Sequence, residues 1–243
     1  SGKSTLGSLL LGFIRPSEGR VLTEGRDMHG LSAGERRERY RHVQAVFQDP
    51  YAAYNPFYKV DHGLTEPLRN FGVATRRADM LAKMRGACEL VGLDPDQTIH
   101  RFAHQLSGGQ RQRLMVGRAM MLGPKLLVAD EPVSMVDASL RSSILGNLRK
   151  MKDDLGVAII YITHDLATAY EVSDYVLVLY RGRVVEAGDP ERVIKDPRHP
   201  YTRLLVASIP WPDPDRHWHG DPGAEAELAD LDAAGRHDPC LVR

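Results

Sequence analysis

Leu106-Ser107-Gly108-Gly109-Gln110-Arg111-Gln112-Arg113 is the stretch on which the reading of the whole chain turns. Two glycines directly ahead of a long helical run leave backbone amides bare enough to approach an anion. Ser107 is placed to cap that helix with its hydroxyl. An ordinary Ser-Gly-Gly helix start would explain the cap, but it does not call for the eight-residue string.

Downstream of this stretch, two short apolar runs each end in ionisable residues. Leu126-Leu127-Val128-Ala129 leads into Asp130-Glu131, and Val157 to Ile162 leads into Thr163-His164-Asp165. Uninterrupted runs of this length suit central strands of a parallel sheet covered on both faces. The predicted helix from Ser139 to Leu155 makes the pair a βαβ crossover. Asp130 and Glu131 then stand at the carboxyl edge of the sheet, where open α/β sheets bind ligands. There Asp130 can hold Mg²⁺ through its water shell, and Glu131 can polarise a water that attacks a γ-phosphate. By themselves the two residues also read as a solvated acidic turn before Pro132. His164 ends the next strand, where a neutral imidazole can bond a γ-phosphate oxygen or hold the attacking water. A lone histidine more often serves structure. Tyr175 to Tyr180 and Arg183 to Glu186 predict two further strands around Arg181-Gly182.

Upstream, Gly2-Lys3-Ser4-Thr5 fits the second half of a phosphate loop, G-x-x-x-x-G-K-[ST]. In such a loop amides and a helix N-terminus hold phosphate oxygens, the lysine reaches the β- and γ-phosphates, and the hydroxyl ligates Mg²⁺. A chance helix start reads the same way. Leu6, Leu9, Leu10 and Phe13 follow at helical spacing. Arg20 to Arg26 predicts a short strand and turn, and Tyr40 to Phe47 contains a strand over Val43 to Phe47. Gln48 comes next, either a polar turn residue or an amide able to ligate Mg²⁺. From Asp49 to Gly123 the chain reads as a mostly helical insertion. Tyr51 to Phe57 is an aromatic, Pro-punctuated loop. Arg76 to Val91 places Met80, Met84, Ala87, Cys88 and Val91 on one helical face, stopped by Gly92. Beyond Trp211 the composition predicts a loosely ordered tail.

The 32 Lys and Arg residues balance 32 Asp and Glu, which argues against the basic excess of a nucleic-acid binder. Cys88 and Cys240 are too few for a disulfide framework or a zinc site, so a reducing cytoplasm is expected. No apolar stretch reaches the roughly 18 residues that span a membrane. The first residue is Ser1, inside the phosphate-loop match, so the N-terminus reads as cut.

Taken in order, these pieces resemble the motif set of ABC-type ATPases. Gly2, Lys3, Ser4 and Thr5 match the phosphate loop, and Gln48 in Val46-Phe47-Gln48-Asp49-Pro50 matches the Q-loop. Ser107, Gly108, Gly109 and Gln110 match the signature, Asp130 and Glu131 Walker B, Asp137 the D-loop and His164 the H-loop. The likeness runs from Ser1 to about Pro210. It implies an α/β, P-loop (RecA-like) core with a parallel sheet, its N-terminal strands missing, over 1–48 and 124–186. A helical signature subdomain is expected over 49–123, a C-terminal extension over 187–210 and the loose tail over 211–243. ATP and Mg²⁺ are the implied ligands, with Ser4, Gln48 and Asp130 on the metal and Glu131, His164 and Gln48 in catalysis. The signature of one copy would contact ATP held by another, so a second ATPase subunit is an implied partner.

Phe47-Gln48-Asp49-Pro50-Tyr51, Asn55-Pro56 and His199-Pro200-Tyr201-Thr202 resemble the oligopeptide/dipeptide/nickel branch of importers. That likeness implies permease partners, an extracytoplasmic solute-binding protein served indirectly, and a peripheral place on the cytoplasmic face of the membrane. Oligosaccharides and nickel are alternative cargoes. Ser134-Met135-Val136-Asp137 departs from the usual D-loop middle but keeps its aspartate. Some relatives bind an iron–sulfur cluster through C-terminal cysteines; Cys240 is alone in its tail, so none is expected. Without the loop's leading glycines and the adenine-stacking aromatic, this chain is expected to bind ATP poorly. A soluble ABC ATPase acting on ribosomes or DNA, and a truncated non-catalytic fragment, are the competing expectations.

Overall fold

Val43, Ala45, Leu126, Val128, Ile160 and Ile162 alternate along three neighbouring strands and share one face with Leu11. A period of two in three parallel strands builds one continuous apolar layer. The computed structural model describes residues 1–49, 54–134, 136, 138–209, 221–235, 237 and 239–242. They fall into two compact units, Gly7–Ile162 and Ser1–Leu6 with Thr163–Arg243.

In the first unit α1 (Lys3–Leu11), whose opening residues belong to the other unit, is followed by the antiparallel pair β1 (Leu22–Thr23) and β2 (Arg26–Asp27). Next come α2 (Ala33–His42), β3 (Val43–Val46), α3 (Val60–Asn70), α4 (Arg77–Leu90) and α5 (Pro95–Thr98). They lead into α6 (Gly108–Met120), β4 (Leu126–Asp130), α7 (Ala138–Leu155) and β5 (Ala158–Ile162). The sheet is parallel in the order β3-β4-β5. The predicted crossover is present, with Ile144, Leu145, Leu148 and Met151 of α7 buried. Coverage of both strands on both faces is corrected for β5, which lies at the edge of the described sheet with Ala158 exposed. An apolar run alone does not distinguish a central strand from an edge.

The helical block carries the expected stripe, since Met80, Met84, Ala87 and Cys88 of α4 are all buried. Gly92, at φ +66, ends it. Close packing of α4 on α6 requires a glycine: a Cβ at Gly117 would stand 2.7 Å from the Ala87 carbonyl oxygen. Sequence patterning missed α2, a helix with no apolar stripe. It is started by a full capping box, Ser32 with Glu35. The Ser32 hydroxyl and amide, with Arg26, hold the Glu35 carboxyl down at about 2. The buried Arg39 of α2 donates to the carbonyls of Leu10 and Leu11 and to the Thr23 hydroxyl, satisfying the last turn of α1.

The second unit holds α8 (Leu166–Val172), β6 (Val176–Tyr180), β7 (Arg183–Gly188), α9 (Pro190–Lys195), α10 (Pro200–Ala207), α11 (Pro222–Ala234) and β8 (Cys240–Val242). Arg181 and Gly182, both at positive φ, form the tight turn between antiparallel β6 and β7. The expected loose tail is corrected where it is described. Over 222–234 it is helical, capped by Asp221 and stopped by Gly235, and β8 pairs in parallel with β7. Asp232 fastens this segment, accepting from the Tyr180 hydroxyl at 2.9 Å and contacting His237 at 2.9 Å and Arg181 at 3.1 Å. Polar composition hid the helix, although Asp-Pro before it and Gly after it are start and stop signals.

Candidate functional site

The register of the parallel sheet sets the site. Val46 pairs with Ala129, and Asp130 pairs with Ile162. Gln48, two residues past β3, and Asp130-Glu131, at the end of β4, therefore share the carboxyl edge. Gln48 Nε2 donates to Glu131 Oε2 at 2.9 Å. Glu131 has φ +47, a conformation that a residue with a side chain avoids. Such strain costs about 1–3 kcal/mol and persists only where the surroundings impose it. Here the Glu131 N–H donates to the Ile162 carbonyl at 2.8 Å. The Ser134 amide and hydroxyl both donate to the Glu131 carbonyl, at 3.2 and 3.0 Å. The main chain at Glu131 is thus held on both sides, and its carboxylate is presented in one direction.

The signature string opens α6 as the sequence predicts. The Ser107 hydroxyl accepts from the Gln110 amide at 3.2 Å, and Gln110 Oε1 accepts from the Ser107 N–H at 2.9 Å. This reciprocal box uses both polar side chains and leaves the amides of Gly108 and Gly109 in the first turn. Further along α6, Gln112 Nε2 donates to the Phe47 carbonyl at 3.4 Å. The Arg118 guanidinium lies 5.9 Å from the centre of the buried Tyr54 ring.

Gly2, Lys3, Ser4, Thr5 and His164 belong to the second unit. Gly2 has φ +97, and a Cβ there would stand 3.2 Å from Gly182 Cα. The Gly182 N–H donates to the Ser1 carbonyl at 2.9 Å, so the backbone before α1 lies against the β6–β7 turn. Lys3 Nζ reaches Ser1 Oγ at 3.3 Å, while Ser4 and Thr5 are exposed in the first turn of α1. His164 is exposed in the short turn before α8, between Thr163 and Asp165. Thr163 Oγ1 accepts from the Asp165 amide at 3.0 Å, and Asp165 caps α8. Asp137 and Tyr51 lie outside the described residues.

Of the residues picked out from sequence, the structure joins Gln48 to Glu131 and Ser107 to Gln110. Sequence reasoning missed the part played by Ser134, which pins Glu131, and by Gln112. The only signal for either was a polar residue next to a motif.

The ABC transporter sequence profile matches residues 1–134, over half of the chain. The chain belongs to the ABC transporter family of ATPases. A second profile, for the C-terminal region of oligopeptide/dipeptide transporters, matches residues 185–238. That span takes in the His199-Pro200-Tyr201-Thr202 string and much of the segment fastened by Asp232. This ABC cassette is 44% identical to a putative peptide import ATP-binding protein of Brucella ovis over 88% of this chain and 67% of that one. It is 39% identical to the oligopeptide transport ATP-binding protein OppF of Salmonella typhimurium, over 88% of this chain and 64% of that one. The chain thus spans about two thirds of the length of these relatives. Among solved structures it resembles cbiO1 of Clostridium perfringens, part of the ABC transporter complex cbiONQ. There the TM-score is 0.71 and the identity 28%, over 80% of this chain and 75% of that one. No helix among the described residues is long and apolar enough to cross a membrane.

Proposed function

We propose that this chain is the ATP-hydrolysing subunit of an importer for oligopeptides or related solutes. It works as one of a pair of ATPase subunits on the cytoplasmic face of the membrane beneath permease subunits. The observation that carries the reading is the Gln48–Glu131 pair at the carboxyl edge of a parallel sheet, with Glu131 in a strained, pinned conformation. The names of the relatives in Brucella and Salmonella support the peptide cargo.

In this reading residues 1–48 and 124–186 form the nucleotide-binding core and 49–123 the helical signature subdomain. Gly2, Lys3, Ser4 and Thr5 take the phosphates at the start of α1, where backbone N–H groups and the lysine carry positive charge. Glu131 orients a water for attack on the γ-phosphorus. The new P–O bond forms as the bond to the β-phosphate oxygen breaks, giving ADP and inorganic phosphate. The proton lost by the water goes to the carboxylate and then to solvent. A carboxylate accepts several hydrogen bonds, so the one from Gln48 is compatible with holding a water. By its match to the H-loop, His164 donates a hydrogen bond to a γ-phosphate oxygen in this reading. Ser107 and the glycine amides beside it serve the nucleotide of the partner subunit.

The donor set suits Mg²⁺. Gln48 turns its amide nitrogen to Glu131, leaving its oxygen as a donor, and Asp130 at the end of β4 is also a hard oxygen donor. Bound there, Mg²⁺ would neutralise charge on the phosphate oxygens. Phe57, 84% exposed, and Tyr58, 50% exposed, offer an apolar surface in the insertion for the permease.

The test is reconstitution of the protein with permease subunits and a solute-binding protein in proteoliposomes. ATP-dependent uptake of a labelled oligopeptide is expected. ATP hydrolysis that responds to no peptide and drives no uptake would refute the importer reading.

A further inference from the structure

Gln112 lies inside the protein, 1% exposed, among the buried Leu114, Met115 and Val116 of α6. A buried amide is unfavourable unless its polar atoms are paired. Its Oε1 has no hydrogen-bond partner among the described residues, and its Nε2 makes a single bond, to the Phe47 carbonyl at 3.4 Å. An unbranched apolar side chain of the same length would fill the space without the orphaned oxygen. Packing therefore does not account for the glutamine.

Its one partner explains it. Phe47 lies just past Val46, the last residue of β3 paired with β4. The Phe47 carbonyl belongs to the same peptide plane as the N–H of Gln48. Fixing that carbonyl fixes the plane from which the Gln48 side chain starts toward Glu131, 2.9 Å from its Nε2. A second tether holds the same residue, with the Phe47 ring stacked on Phe13 at 6.1 Å between centres. Gln112 also sits five residues into the helix that Ser107 caps.

We propose that Gln112 is a positioning residue for ATP hydrolysis. It holds the Phe47–Gln48 peptide so that Gln48 meets Glu131, and so ties the signature helix to the catalytic carboxylate. This rests on the ATPase reading above.

The experiment compares Gln112→Met and Gln112→Glu with wild type in the full protein, alone and in a Gln48→Ala background. Gln112→Met should melt no lower than wild type, should lose kcat by about tenfold or more, and should keep KM for ATP within about twofold. In the Gln48→Ala background it should cost nothing further, because its effect passes through Gln48. The carboxyl introduced by Gln112→Glu donates to a carbonyl only when neutral, and burial favours the neutral form. Its kcat relative to wild type should therefore rise as pH falls, while that of Gln112→Met stays level. A Gln112→Met variant that melts well below wild type would make the residue a packing element and overturn the proposal. So would an unchanged kcat, or an equal loss without Gln48. A wild-type protein with no ATPase activity would instead overturn the reading beneath it.

Discussion

Gln48 and Glu131, 83 positions apart, are joined by a 2.9 Å hydrogen bond that links the ends of two adjacent parallel strands. The amide nitrogen can only donate, so the contact steers the carboxylate without adding a charge. The Gln48 side chain belongs to the exposed edge, where its loss leaves no buried group unpaired. Gln48→Ala is therefore expected to leave the melting temperature near that of wild type. It should lower kcat about tenfold or more, through lost alignment of Glu131. Steady-state ATP hydrolysis beside a thermal melt checks both.

A different carboxylate stabilises the C-terminal region. Glu186 is fully buried and accepts from the amides of Arg198 and His199 at 2.9 and 3.1 Å. Glu186→Ala would leave two N–H groups just before α10 without their acceptor, that of His199 buried and that of Arg198 part-buried. The expected loss is about 1–3 kcal/mol per unsatisfied group at most, and less where water enters. Denaturant unfolding gives the number. No change in midpoint would mean these bonds contribute nothing.

His199 makes this region sensitive to acid. Its Nδ1 accepts from the Tyr201 amide at 3.2 Å, which requires a ring nitrogen without a proton. Burial, and next the neighbouring His237, push its pKa below the usual 6.5, against the opposing pull of Glu186 and Glu227. The unfolded chain takes up a proton below 6.5 while the folded ring stays neutral. The contribution to stability is therefore whole above 6.5 and is lost as pH falls toward the lowered folded value. His199→Asn keeps a capping oxygen but cannot titrate. Its unfolding midpoint should fall less than that of wild type between about pH 7.5 and 5.5.

Much of this arrangement can be read in the residues themselves. The stripe of Met80, Met84, Ala87 and Cys88 announces α4, and Arg181-Gly182 between two apolar runs announces the β6–β7 turn. The ends of β3 and β4 are visible because each apolar run stops at a polar residue. By contrast α2 has no apolar face, being held by a capping box and by Arg39 reaching across to α1. The Ala-rich segment over 222–234 resembles a polar tail in composition, and what fixes it is Asp232 meeting Tyr180, Arg181 and His237. Sequence order places Gln48 and Glu131 on one edge. Their contact depends on backbone angles at Glu131 that no local pattern specifies.

Glu131 is the centre of the proposed chemistry, and Glu131→Gln tests it most directly. The substitution preserves shape and leaves the backbone bonds to Ile162 and Ser134 in place, but removes the negative charge that draws a proton from water. ATP binding, followed by fluorescence-labelled nucleotide, should match wild type, and steady-state turnover should fall by about a hundredfold or more. Turnover near the wild-type rate, with binding intact, would contradict the assignment.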